Sequence, residues 1–477
     1  MDIGPVTPST ELRRPARLLH AVAAVGGAAL LLAIGYGVFR IKVEILLVAS
    51  TALAAGMGAW LGLGWREIQA GMLQSILKGM PAMMIVVVVG ALIGSWIAAG
   101  IIPMVIYYGL GLISPHSFLL TASVAACVMS MLTGTGYGTI GTIGVAFMGI
   151  AHGLGVPPDR AAGALVAGAY LGDKISPFAA NANLAVAVSR ANLYDHITHS
   201  LWTTLPALLV GFAVYAGLGA GAAPAGAGAL AGAAALRAAL SRHFVFSPWL
   251  LLPPAVVLYA MARRRPVIPG MLLSAAAAAV LAVAVQHVAP AAAANAMVDG
   301  FAPHTGTPAL DQLLAQGGMA AMMHVTLIAL CAFAFSGALQ KAGLLEPLLR
   351  QLLRFAHTPG RLVLTTGIAC VAVEMITGSA FLCIIIPAEL LAPAYIRLNL
   401  AAKNLSRTIG DCGIVGVPLI PWSIAGAFMS STLGVRVGDY APWAVFCYAG
   451  FVFTIIAGFS GLTIARRKFD DETQAGS

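Results

Sequence analysis

The amino-acid sequence predicts an all-α, polytopic membrane protein built from two related halves. Three observations carry the prediction. Sixty per cent of the 477 residues are apolar and only 9% are charged, against about a quarter charged in an average soluble domain. Apolar runs approaching the roughly 20 residues needed to cross a bilayer recur from one end of the chain to the other. Two sets of Thr-, Gly- and Asp-containing interruptions stand in the same order in the two halves. A chain solvated by lipid needs charge only in loops and at functional sites, and this composition fits that solvent.

In chain order, a polar lead over residues 1–17 precedes a first transmembrane repeat over 18–219. An Ala/Gly-rich linker over 220–242, a second repeat over 243–464 and a polar tail over 465–477 follow. Candidate apolar segments in the first half are 18–38, 43–63, 80–99, 117–133, 139–153, 160–172 and 199–219. Those in the second are 246–262, 267–288, 319–340, 361–377, 380–397, 413–432 and 441–464. The short ones cluster around glycine- and proline-containing breaks, as half-helices and re-entrant segments do, for roughly 11–13 crossings in all. Between Trp65 and Lys78, apolar Ile68, Met72, Leu73, Ile76 and Leu77 at near-helical spacing predict an interfacial amphipathic helix.

Net charge is +9, but the basic residues sit in short clusters between apolar runs rather than on one face, which argues against a nucleic-acid partner. Arg13, Arg14 and Arg17, Arg263 to Arg265, and Arg466 to Lys468 read as cytoplasmic anchors, in keeping with a multi-pass protein of the bacterial inner membrane. The loop from Pro290 to Gln316, with two aspartates and no Lys or Arg, is expected outside. Arg40 and Lys42 do not fit a simple alternation from a cytoplasmic N-terminus. The six cysteines lie in apolar stretches without CxxC or His-paired spacing, so neither a disulfide framework nor a zinc site is indicated. Histidines without HExxH pairing, serines without a GxSxG context and a TGTGYGT run that is no phosphate loop argue against an enzyme.

The breaks are the most informative feature. The first half reads Thr133-Gly134-Thr135-Gly136, then Gly172-Asp173-Lys174-Ile175-Ser176-Pro177, with Asp173 forty positions after Thr133. The second half reads Thr377-Gly378-Ser379, then Gly410-Asp411, with Asp411 thirty-four positions after Thr377 and Pro418 and Pro421 beyond. In hydrocarbon an interrupted helix is tolerated only where it lines a cavity, and there its free carbonyls, amides and helix ends can coordinate an ion. Glycines alone would serve close helix packing equally well, but packing does not require an aspartate at a set place. The pattern therefore points to a transporter's binding site.

These residues resemble the NhaC family of Na+/H+ antiporters, within the broader ion transporter superfamily. The resemblance rests on TGTGYGTIGTIGVAFMGIAHGLGVP from Thr133 to Pro157, GAYLGDKISP from Gly168 to Pro177 and KNLSRTIGDCGIVGVPLIPWS from Lys403 to Ser423, and a looser likeness extends from about residue 40 to 464. It implies two inverted repeats with broken or re-entrant helices meeting near the midplane, and exchange of sodium for protons. Some relatives exchange carboxylates such as malate and lactate. No cofactor is implied beyond transported Na+ and H+. The expected partners are the bilayer and a small ion or small-molecule substrate, with a homodimer left open.

Carried over by position, Asp173 and Asp411 would be the acidic residues and sodium ligands, with Thr133, Thr135, Thr377 and Ser379 in the breaks opposite. Asn181 and Asn183 offer amide groups to an ion or carboxylate, or cap the following helix. Glu374, one turn before Thr377 in an apolar run, is either a proton carrier or a carboxylate bonded to a neighbouring helix. Lys174 is a candidate counter-ion for Asp173. Where the family pattern has an acidic residue and threonines, this chain reads Ala179-Ala180-Asn181-Ala182-Asn183, and Cys412, Ile414, Gly416 and Val417 replace hydroxyl-bearing positions. A sodium site favours hard oxygen ligands, so an H+- or Na+-coupled exchanger of small organic anions or amino acids is the alternative.

Overall fold

The computed structural model describes residues 15–467 apart from 222–226, 264, 304, 306–309, 312 and 313. Arg13, Arg14, Arg264, Lys468 and most of the N-terminal lead and C-terminal tail thus lie outside the described residues. Among those described, helices account for nearly all regular structure, with one isolated bridge between Leu400 and Arg466. Among the described residues nine helices are long and apolar enough to cross a membrane, or up to 12 spans if each bent pair counts as one. The protein is a multi-pass membrane protein.

The first half runs α1 (Leu18–Gly37), α2 (Val43–Trp60), α3 (Trp65–Ala98), α4 (Ile101–Leu112), α5 (Phe118–Thr133), α6 (Gly136–Leu154), α7 (Pro158–Ile175), α8 (Ala180–Ser189) and α9 (Leu193–Ala220). Then come α10 (Ala227–His243), α11 (Leu252–Ala262), α12 (Val267–Ala284), α13 (Pro290–Asp299), α14 (Met319–Lys341) and α15 (Leu345–Leu353). The chain ends with α16 (Pro359–Thr377), α17 (Ala380–Arg397), α18 (Ala402–Leu419), α19 (Ile424–Leu433), α20 (Val437–Trp443) and α21 (Val445–Ser460).

Three elements differ from the sequence reading. The amphipathic stretch from Trp65 is the first part of the 34-residue α3, since nothing between Lys78 and Met83 stops the helix except Pro81, which it accommodates. Helix α4 was not anticipated; it begins where Gly100 turns the chain at φ +85°. Much of the Ala/Gly-rich segment is α10, because alanine is the best helix former, and Leu236 and Leu240 are buried where it packs on α4 and α6.

The exterior is apolar and the interior carries the polarity, the arrangement expected of a lipid-solvated protein. Leu209, Leu273 and Val280 are about two-thirds exposed, whereas Lys174, Arg407 and Asp411 are fully buried. Helix α7 is buried without a gap from Ala161 to Ile175, and α18 from Asn404 to Val415. These two form the centre.

One offset relates the two halves. Gly378 follows Gly134 by 244 positions (378 − 134), and both are left-handed glycines that end a helix. Under the same offset α6 begins opposite α17, α7 opposite α18, and both ends of α8 fall on those of α19. In each half the glycine break meets the second break. A methyl group on Gly134 would come within 2.7 Å of the Phe178 backbone, and one on Gly378 within 3.0 Å of the Trp422 carbonyl, 244 positions on. The halves also interlock, since α8 packs against α17 and α18 while α19 packs against α6. The offset places Gly172 opposite Gly416, not Gly410, so Asp173 and Asp411 occupy non-equivalent positions (411 − 173 = 238).

A side chain at Gly134 must adopt a disfavoured φ of +66° and displace backbone. Gly134→Ala is expected to cost about 2 kcal/mol or more, read as a lower thermal midpoint of detergent-solubilised protein. Gly26→Ala, with open space around it, should be close to neutral.

Candidate functional site

Helix α5 stops at Gly134, which takes a left-handed φ of +66°, and the freed groups are met locally. The Thr133 and Thr139 hydroxyls both donate to the Thr135 carbonyl, at 3.2 and 2.9 Å, and lie 3.2 Å from each other. Immediately beyond, the Gly136 backbone and the Asn181 side chain at the start of α8 lie near the carboxylate of Asp173, in the last turn of α7. Asp173 thus sits between the break of α5/α6 and the start of α8. It is 4% exposed. The Tyr170 ring packs on Gly136, and Tyr137 meets Phe428 of α19 edge-on at 5.2 Å, so the second half closes over this site.

Lys174, the next residue along α7, points elsewhere. Its ammonium is ion-paired with Asp411 and donates to the Thr204 hydroxyl at 2.6 Å. The expected pairing of Lys174 with Asp173 is therefore corrected: adjacent helical residues project about 100° apart, and the face Lys174 occupies is the one that meets α18. Asp411 is saturated by this ammonium and by the hydroxyls of Thr203, at 2.8 Å, and Thr454, at 2.6 Å. Asp411 takes its partners from α7, α9 and α21, and shares none of them with Asp173.

Glu374 is 1% exposed on α16, and its Oε1 has no hydrogen-bond partner among the described residues. Its carboxyl lies against Gly416, so close that a methyl group there would sit 2.8 Å from Oε2. In the first half the matching contact is made by Ser130, whose hydroxyl accepts from Gly172 N–H at 2.9 Å and donates to the Gly168 carbonyl at 3.0 Å. A carboxyl thus replaces a hydroxyl at equivalent crossings (374 − 130 = 244). Thr377 accepts from Ser379 N–H at 3.3 Å, and Ser379 caps α17 by accepting from Leu382 N–H at 3.4 Å. Asn183 is exposed and turns back to the Pro177 and Ala179 carbonyls, at 3.0 and 2.7 Å, away from Asp173.

Several participants went unremarked in the sequence. Helix α9 buries His196, His199, Ser200, Thr203 and Thr204 on one face. Their i, i+3, i+4, i+7, i+8 spacing inside an apolar span was the available signal. The His196 ring bridges the Lys174 carbonyl, at 3.1 Å, and the Ser406 hydroxyl, at 3.0 Å, tying α7, α9 and α18 together.

Comparison with known proteins agrees with this architecture. Residues 168–462 match the model of the Na+/H+ antiporter family. A Haemophilus influenzae protein named "Uncharacterized Na(+)/H(+) antiporter" is 39% identical across 96% of this chain and 99% of its own length. The Na+/H+ antiporter NhaC of Alkalihalophilus pseudofirmus is 35% identical across 90% of this chain and 93% of its own. A Bacillus subtilis malate-2H+/Na+-lactate antiporter is 30% identical across 93% of this chain and 95% of its own. With a family model matched over more than half its length and such relatives covering nearly all of it, the chain belongs to the Na+/H+ antiporter family, among the NhaC antiporters.

Proposed function

We propose that the protein exchanges sodium for protons across the bacterial inner membrane, with Asp173 as the sodium-binding carboxylate and Glu374 as the proton carrier. It is a carrier and not an enzyme. The observation that supports the assignment is the commitment of Lys174 to Asp411. That pair leaves Asp173 buried beside the neutral Gly136 backbone and Asn181 side chain, the condition in which a bare cation competes well for a carboxylate. Asp411 then acts as the counter-ion that holds α7 to α18. Oxygen from Asn181 and from the interrupted backbone near Thr135 supplies the further hard ligands that sodium favours.

Glu374 contributes the second exchangeable charge. Glu374 is a buried carboxyl with an unpartnered oxygen among the described residues, and an intramembrane carboxyl of this kind can take up a proton on one side and release it on the other. The two breaks, one contributed by each inverted repeat, let the two sites be exposed alternately by rocking of one half against the other.

The test is sodium-dependent collapse of a preformed pH gradient in everted vesicles containing the protein. No response to sodium above that of empty vesicles would remove the reading. Glu374→Gln is expected to lower the exchange rate at least about tenfold, since an amide at this position cannot release a proton. Retained pH-dependent exchange at the wild-type rate would reassign Glu374 to packing.

A further inference from the structure

Helix α10 lies in the plane of the membrane. The segments Gly232–His243 and Pro248–Ala260 meet at 103°. The second of them runs beside the spanning α12, where a methyl group on Gly270 would come within 2.8 Å of the Ala260 methyl. With α11 aligned to a span, the right-angled turn before it leaves α10 along the bilayer surface. Ala233, Leu236 and Leu240 are buried on its inner side, while Ala234, Ala238 and Arg242 are exposed. That is the disposition of an interfacial helix, set at headgroup depth. Residues 227–243 include two arginines, Arg237 and Arg242, and no acidic residue.

Arg237 is half-buried against the last turns of α4. A methyl group on Gly111 would sit 3.1, 3.2 and 3.3 Å from its Nη1, Cζ and Nη2, near-equal distances that place the guanidinium plane face-on over Gly111. One turn earlier on the same face of α4, the Tyr107 ring centroid is 4.5 Å from Cζ, a cation–π contact. Tyr107 in turn meets Tyr108 and Phe246 at 5.2 and 4.9 Å between ring centroids. Tyr108 is about half exposed, an amphipathic ring of the kind that marks the headgroup level. The protein supplies no anion here. Among the described residues Nε is buried without a hydrogen-bond partner, and none of the ion pairs includes Arg237.

We propose that Arg237 binds the phosphodiester of an anionic phospholipid at the edge of α4 and α10. The ring and the glycine fix the guanidinium plane, so its parallel N–H groups project sideways as a fork that matches two phosphate oxygens. Leu112, 84% exposed beside Gly111, offers the acyl chains an apolar contact. No enclosed cavity is required, because the bilayer itself holds the headgroup against the helix. Arg242, exposed in the last turn of α10, adds positive charge that favours an anionic over a zwitterionic lipid. The site shares no residue with Asp173, Asp411 or Glu374 and their partners, and does not depend on the sodium and proton assignments.

The test uses purified full-length protein, delipidated in detergent at constant ionic strength. Phosphatidylglycerol, phosphatidylcholine and inorganic phosphate are added in separate arms, with bound lipid counted by native mass spectrometry and the thermal midpoint read alongside. Saturable uptake of one phosphatidylglycerol at this site is expected, with a midpoint rise of a few degrees as a ligand of the folded form produces. Phosphatidylcholine should bind more weakly, and inorganic phosphate at the same concentration should have no effect. Arg237→Gln should weaken phosphatidylglycerol binding about thirtyfold, the loss of a charge-assisted fork. Gly111→Leu keeps every charge but occupies the place of the guanidinium, at an exposed position that tolerates a side chain, and should weaken binding comparably. Arg242→Gln should cost no more than about fivefold, the share of one charge near a membrane surface. Equal losses in Arg237→Gln and Arg242→Gln would mean diffuse surface charge only and overturn the site. Wild-type binding in Arg237→Gln, or an equal response to inorganic phosphate, overturns it as well. So does a lowered midpoint in Arg237→Gln when the wild type takes up no lipid, which would make Arg237 a brace for α4 alone.

Discussion

Asp173→Asn is expected to abolish sodium-dependent proton movement while leaving the protein folded. The amide is nearly isosteric and fits the same space beside the Gly136 backbone and the Asn181 side chain. What disappears is the negative charge, in a site only 4% exposed. A desolvated cation without its charged ligand should lose about a hundredfold or more in affinity, on the order of 3 kcal/mol. The measurement is the sodium concentration giving half-maximal gradient collapse, together with the thermal midpoint of the purified variant. Asn181→Ala, which removes a polar neighbour of the carboxylate and not the charge, should shift that concentration by about 10- to 100-fold, as loss of an orienting partner does. Wild-type sodium dependence in Asp173→Asn would remove Asp173 from the transport site.

The second large effect concerns stability. Lys174→Met leaves Asp411 buried with two hydroxyls and no cation, and Asp411→Asn leaves the Lys174 ammonium buried with Thr204. Each single change is expected to destabilise by about 3–5 kcal/mol, because breaking a buried pair strands a charge. The double variant Lys174→Met/Asp411→Asn removes both charges and should recover much of that loss, giving a coupling of up to about 3 kcal/mol. Thermal midpoints of the four proteins close the cycle. Additive losses would show that the two groups are stabilised independently of each other, and the function of Asp411 as counter-ion would fall.

The membrane class was legible because it follows from composition and run length, which need no tertiary information. The breaks at Gly134 and Gly378 were legible for a related reason, since Thr-Gly-hydroxyl inside an apolar run is a local instruction to stop a helix and satisfy its ends. The match between Gly172-Asp173 and Gly410-Asp411 was misleading as a guide to equivalence. Both dipeptides suit a buried helix, but the packing register sets Gly172 opposite Gly416, where each lies against a helix of its own half. Helix α4 escaped notice because Ile101–Leu112 is shorter than a full span and is bounded by a turn whose only mark is Gly100.

Sequence by itself determined that this chain is solvated by lipid, that it is duplicated, and that it carries a few costly charges at interrupted helices. Only the tertiary structure decided how those charges are distributed: Lys174 to Asp411, Asp173 to the neutral Gly136 backbone and Asn181 side chain, Arg407 with Nε and Nη2 unpartnered among the described residues. The reason is angular. Neighbouring residues on a helix face different neighbours, and which neighbour lies there depends on helices more than two hundred positions away, where no local propensity reaches.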